Sequence, residues 1–293
     1  MTKSTESTQY LYSEEFYKMI EGYSRNAADA IVPLLLDLFS SPSVVDIGCG
    51  NGTWLKGFQD RGVTDFLGVD GSYVDANMLK IPITNFKSAD LSKPLAIDRK
   101  FDISMTLEVG EHIPTESSDA FVDTLTNLAP VVMFSAAIPH QGGDNHINEQ
   151  WQDFWAQKFQ DRGYLVMDYI RPQVWGNEQV AHWYSQNVIL YVHQDYWNAH
   201  PELQDKLATY QINDLIRLRS VHPTMYLIQT QYVQGAMNRK PEDISLKETL
   251  TILPQVAAAA VSRKLGYGKQ PKKSLSGDLS HAGVAEKNLQ ASG

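Results

Sequence analysis

The segment Asp46-Ile47-Gly48-Cys49-Gly50-Asn51-Gly52 constrains the fold more than any other stretch of the chain. It follows Val44-Val45-Asp46-Ile47, which reads as a buried strand, and it opens an amphipathic pattern from Thr53 to Arg61, which reads as a helix. Glycines between a strand and a helix let the backbone turn tightly and let a ligand approach it closely. Their spacing narrows the ligand. The pattern is G-x-G-x-G, whereas the dinucleotide pattern G-x-G-x-x-G needs its third glycine at position 53, which is Thr53. The sequence has no G-x-x-x-x-G-K-[ST] segment to cradle phosphates. Asp46 sits badly beside a pyrophosphate and suits a ligand that carries an ammonium and a sulfonium. Asp70 ends the next apolar run about 20 residues on, where a carboxylate reaches two ribose hydroxyls.

Around this turn, short apolar runs alternate with helical spacing. Residues 44–47, 66–70, 101–107, 131–135, 164–169 and 187–192 read as strands, and 53–61, 117–128 and 148–162 as helices. Residues 14–39 read as two helical pieces broken near Gly22 and Pro33. The last two strands have a long loop between them without a helix, which predicts one antiparallel edge strand. The alternation gives an α/β fold, a mainly parallel sheet with helices on both faces. The expected organisation is a first domain over 1–194 with a helical lead-in, a helical C-terminal extension over 195–265, and a disordered tail over 266–293, where large apolar residues are scarce. The apolar stretch Leu246–Leu265 is interrupted by Pro254 and reads as a packed helix rather than a membrane-surface one.

Composition excludes some functions. A formal net charge of −9 argues against a nucleic-acid partner, which needs a basic surface. No apolar run approaches the roughly 20 residues that span a bilayer. Residues 1–10 do not read as a secretory signal, and Cys49 is the only cysteine, so an intrachain disulfide is impossible. The expectation is a cytoplasmic protein without a membrane span.

The motifs resemble a known family. VVDIGCGNG is similar to the first motif of class I S-adenosylmethionine-dependent methyltransferases, FLGVDGSYV to the second, FKSADL to the third and FDISMTLEVGEHIP to the fourth. The similarity runs from about Tyr12 to His193. It implies a Rossmann-like seven-stranded sheet in the order 3-2-1-4-5-7-6 with strand 7 antiparallel. It also implies that S-adenosyl-L-methionine is the cofactor. Asp46, Gly48 and Gly50 would hold its methionine end and Asp70 its ribose. Gly71 and Ser72 would flank the adenosine, Asp90 and Leu91 would meet the adenine, and Glu108 would lie near the methionine end. The segments SAAIPHQGGDNHINEQWQDFW and VAHWYSQNVILYV further resemble a bacterial subgroup associated with glycan or secondary-metabolite pathways. That subgroup usually has a small residue where this chain has His140.

Methyl transfer from a sulfonium requires alignment of acceptor, methyl and sulfur and exclusion of water. An alcohol acceptor must also lose a proton to a positioned base. His146 is the first candidate for that base and His112 the second, because both lie in loops after strands, where ligands bind in such sheets. Asn148 is expected to cap the helix after His146. No metal is expected: His140, Asp144, His146 and Glu149 crowd ten residues but match no strong ligand spacing. The tyrosines and tryptophans at 12, 17, 23, 151, 155, 175, 183 and 184, with Phe16, are expected to supply mostly core packing and one or two walls for an acceptor. The reaction expected is O-methylation of a small-molecule acceptor, a sugar or secondary metabolite. N- or carboxyl methylation, a nicotinamide oxidoreductase, and a non-catalytic cofactor-binding module are the rivals. Thr53 and Asp46 count against the oxidoreductase, and intact motifs against the inert module.

Overall fold

Strands that are buried on both faces read as continuous apolar runs, and the middle of this sheet follows that rule. In the computed structural model, β1 (Val44–Ile47), β4 (Ile103–Leu107) and β5 (Val131–Ser135) are buried along their whole length. The structure describes residues 14–93, 95, 97–238, 250, 251, 253, 254, 256–258 and 261, with side chains from residue 21 onward. The remaining strands are β2 (Phe66–Asp70), β3 (Phe86–Ser88), β6 (Tyr164–Met167) and β7 (Ile189–His193). The seven form one sheet in the order β3-β2-β1-β4-β5-β7-β6, as the resemblance implies. Pairings from β3 to β5 are parallel, and β7 runs antiparallel to both β5 and β6.

Alternate residues of each strand face opposite layers. Val44, Ile103, Met105, Val131 and Met133 pack with α1 (Glu14–Leu38) and α2 (Thr53–Gln59) on one face. Val45, Ile47, Val132 and Phe134 pack with α3 (Ser118–Leu128) and α4 (Gln152–Gln160) on the other.

Four local expectations are corrected. Residues 14–38 form one helix, not two pieces, with Pro33 inside it. Pro33 is exposed, and the carbonyl of Asp29, which a proline four residues on cannot reach, accepts from the Arg61 guanidinium at 3.2 Å. The antiparallel strand is interior rather than at the edge: β7 lies between β5 and β6. The connection between β6 and β7 holds two short helices, α5 (Ile170–Val174) and α6 (His182–Asn187). Asn148 does not cap α4, whose N-cap is Trp151. Its buried amide instead meets Thr115 at 2.7 Å and Ser118 at 3.1 Å.

The chain divides into two units, 1–231 and 232–293. Within the first, α7 (Gln194–Ala199) and α8 (Pro201–Leu207) follow the sheet, and Leu203, Leu207 and Leu218 join its two cores. Arg171 is 3% exposed. It pairs with Asp168 at 2.7 Å and donates to the carbonyls of Gln186 at 3.1 Å and Leu218 at 2.8 Å. Helix α9 (Pro223–Met237) ends the continuous description. In the second unit, the apolar residues Tyr232, Val233, Met237, Leu250, Leu253, Val256 and Val261 are exposed. The expected tail over 266–293 lies outside the described residues. Among those described, no helix is long and apolar enough to cross a membrane.

Phe134 is the hub of the second layer, with ring centroids 5.0 Å from Trp155, 5.5 Å from Phe159 and 6.4 Å from Tyr191. Phe134→Ala is expected to cost about 3–5 kcal/mol, the usual loss for a buried phenylalanine. Urea denaturation checks it.

Candidate functional site

Loops at the carboxyl ends of β1, β2, β4 and β5 converge on one side of the sheet, where ligands bind in open α/β folds. They enclose a cavity of about 860 Å³. The loop after β1 supplies Gly48, Cys49, Gly50 and Asn51; the end of β2 supplies Asp70, Gly71 and Ser72. Asp90 and Leu91 follow β3, Glu108 and His112 follow β4, and Asn145 comes from the loop after β5.

Glycine is needed in this floor. Gly48 has φ +89°, and a Cβ there would stand 2.4 Å from Val109 Cγ2. Only glycine lets Val109 pack this close against the turn. Asp70 secures it: its carboxylate accepts from Gly50 N–H and Gly71 N–H, both at 2.6 Å, and from the Tyr73 hydroxyl at 2.5 Å. Burial raises the Asp70 carboxyl above the ordinary carboxylate value, and those three donors offset part of the rise. Asp46 is 2% exposed within β1 and is not one of the lining residues. Burial first, and the Asp70 charge second, push its carboxyl well above the usual range. Asp90 is the opposite case: Lys93 and Ser92 hold it down to about 2, so it is ionised at neutral pH.

The wall after β4 is polar and strained. Glu108 has φ +55°, a left-handed conformation that costs a non-glycine residue free energy. Its carboxylate accepts from Gln141 Nε2 at 2.8 Å and Asn187 Nδ2 at 3.2 Å. Burial raises it to about 7 despite those donors. Gly110–His112 then form a single 3₁₀ turn that carries Glu111 inward, 1% exposed. Burial and the Glu108 charge push the Glu111 carboxyl well above its ordinary value.

His112 and His146 meet edge to face, with ring centroids 5.0 Å apart. His112 lines the cavity, and His146 stands behind it. Burial, then the neighbouring His146, lower the His112 pKa, so its imidazole is neutral at pH 7. His140 is exposed and has φ +67°, a left-handed conformation uncommon for a residue other than glycine.

The cavity therefore gathers Gly48, Gly50, Asp70, Gly71, Ser72, Asp90, Leu91, Glu108 and His112, with Asp46 and His146 outside its lining. Trp155 is core, Trp183 packs on Tyr23, and Trp175 packs on His222. Trp54, Tyr73, Val109 and Asn145 line the cavity without having been singled out in the sequence. Glu111 was also passed over. Its signal was available: Glu108-x-x-Glu111-His112 puts three chemically active residues within one turn after a strand.

A family model described as a methyltransferase domain matches residues 19–187. Among solved structures, the chain is similar to magnesium protoporphyrin IX methyltransferase from Synechocystis PCC 6803 with bound SAH, at 17% identity. That match covers 65% of this chain and 95% of that one, with a TM-score of 0.46. It is also similar to DesVI from Streptomyces venezuelae, at 14% identity over 65% and 99% of the two chains, with a TM-score of 0.45. Human N-acetylserotonin methyltransferase in complex with SAM matches at 13% identity over 57% and 51%, with a TM-score of 0.42. No curated protein matches by sequence.

The Glu108 carboxyl carries a pH signature. Its folded pKa of about 7 lies above the ordinary value of 4.5, so its protonated form stabilises the fold at low pH, and that contribution is lost as pH rises through about 7. His112 and His182, whose pKa values are lowered, act in the opposite sense over part of this range. The diagnostic quantity is thus the stability of wild type minus that of Glu108→Gln. Urea titrations should find this difference constant well below pH 4.5, falling between about pH 4.5 and 7, and level above that range.

Proposed function

This chain belongs to the methyltransferase domain family, and from that premise we propose that it is an S-adenosylmethionine-dependent enzyme that methylates a hydroxyl of a small-molecule acceptor, a sugar or secondary metabolite, in the cytoplasm. The observation that carries this reading is the His112–His146 pair at the wall of the cavity, with His112 neutral by burial. An alcohol must lose a proton as its oxygen attacks, and an imidazole suits that task near neutral pH.

The cavity fits the cofactor through its glycine floor and the buried Asp70. The bound cofactor supplies a methyl group on a sulfonium. In this reading, Gly48 and Gly50 present bare backbone to its methionine end, while Asp46 places a buried carboxyl beneath them. Asp70 takes the ribose hydroxyls in place of the Tyr73 hydroxyl that it now holds. Gly71 and Ser72 flank the adenosine, Asp90 and Leu91 meet the adenine, and Glu108, held by Gln141 and Asn187, borders the methionine end. His146 removes the acceptor's proton, with His112 as the second candidate.

Titration calorimetry with S-adenosylhomocysteine should show binding that Asp70→Ala weakens by about 1.5–3 kcal/mol, the scale of hydrogen bonds to a charged group. Turnover with labelled cofactor and a hydroxyl acceptor should fall about 10²–10⁴-fold in His146→Ala, with cofactor affinity kept within a few-fold. If His146→Ala and His112→Ala both retain full turnover, the acceptor is an amine or carboxylate that needs no base.

A further inference from the structure

The histidines at the cavity wall have a third neighbour, Glu111, that the reading above does not use. Its side chain is 1% exposed, yet no side chain hydrogen-bonds either carboxylate oxygen, and only the backbone N–H groups of Glu111 itself and Ala137 offset part of the cost of its burial. Buried carboxylates are ordinarily paired, hydrogen-bonded or metal-bound. Glu111, His112 and His146 offer one ligand atom each, all within 4.8 Å of one another, and His146 Nε2 lies 3.9 Å from Glu111 Oε1. Ligand atoms held about 2.0–2.2 Å from one ion stand about 3–4 Å apart, so the cluster has the right size after a small closure.

The outer partners point the same way. His112 Nδ1 is 3.2 Å from the Asn145 carbonyl, and a carbonyl only accepts, so this nitrogen carries the proton and Nε2 keeps its lone pair. His146 Nδ1 is likewise held by Glu149 Oε1 at 3.1 Å, leaving its Nε2 toward Glu111. Glu149 is fixed in turn by the backbone N–H of His140 at 2.7 Å and of Gly142 at 2.8 Å. A carboxylate or carbonyl behind each imidazole is the arrangement that orients metal-binding histidines. Gly143 makes room for it, since a Cβ there would stand 2.3 Å from His146 Nε2.

From these observations we propose that Glu111, His112 and His146 bind a divalent transition-metal cation. Two imidazoles and a carboxylate favour the manganese-to-zinc series over calcium or magnesium, which prefer oxygen ligands. Three protein ligands leave coordination positions open. His112 and Asn145 line the cavity, so the site borders the acceptor space, and an acceptor with two neighbouring oxygens can chelate the ion. That last role rests on the hydroxyl-methylation reading, whereas the cation site does not; an ion on the Nε2 atoms of His112 and His146 would take the place of the histidine base by lowering the pKa of the hydroxyl bound to it. The set also departs from the expectation of no metal. Of the four residues crowded at 140–149, only His146 is a ligand; Glu149 orients it, and His140 and Asp144 are exposed.

The test uses the full chain, stripped with chelator and titrated calorimetrically with Mn²⁺, Co²⁺ and Zn²⁺. One saturable site is expected. Glu111→Gln and His146→Ala should abolish it, Glu149→Gln should weaken it about 10–100-fold, and His140→Asn should leave it unchanged. S-adenosylhomocysteine binding and circular dichroism verify that each variant is folded; should Glu111→Gln fail them, His112→Ala takes its place. Absence of saturable binding to wild type, or equal affinity in wild type, Glu111→Gln and His146→Ala, overturns the site. Metal binding without methyl transfer to any hydroxyl leaves the site standing and overturns the hydroxyl reading. Full hydroxyl methylation by chelated protein overturns the chelating role.

Discussion

One buried carboxylate holds two loops together. Asp70, at the end of β2, takes the Gly50 N–H from the loop after β1 and the Gly71 N–H from its own loop. Both bonds are short, and they offset part of the rise that burial imposes on the carboxyl. The glycine floor can lie open because a buried carboxyl fastens it from below. At Gly48 no side chain would fit. Everything that borders the cavity is placed relative to this fixed floor.

The opposite wall is built by different means. Glu108 is left-handed and accepts from Gln141 and Asn187, and Asn145 is left-handed beside His112. Neutral amides, not cations, receive the Glu108 carboxyl, which burial then holds near 7. One wall is thus a buried carboxyl on glycine backbone, and the other is strained non-glycine backbone carrying a carboxyl held at about 7. The first suits recognition of a constant ligand, the second suits chemistry on a variable one.

Much of this was readable in the residues. The strands at 44–47, 66–70 and 131–135, the glycine loop and Asp70 follow from periodicity and spacing, because burial on both faces imposes continuous apolar runs. Features set by tertiary partners were not readable. β3 has three residues and is half-buried to exposed, so it leaves no apolar signature. Pro33 looks like a break until Arg61, distant in sequence, meets the carbonyl it frees. Asn148 looks like a helix cap, but its amide is taken by Thr115 and Ser118. His112 and His146 are far apart in sequence and meet because β4 and β5 are parallel neighbours, which brings their following loops side by side. Asp46, expected from the resemblance to hold the methionine end, is buried within β1, a depth its place before the glycines does not reveal.

Arg171 bears on how such a protein can be taken apart and recombined. Its buried guanidinium joins α5 to the carbonyls of Gln186, just before β7, and of Leu218, well beyond the last strand. A gene fusion that took the sheet and stopped at β7 would carry this cation without the acceptor at Leu218. The exchangeable module therefore extends past residue 218, and the joint that evolution or an engineer can cut lies downstream of the last strand.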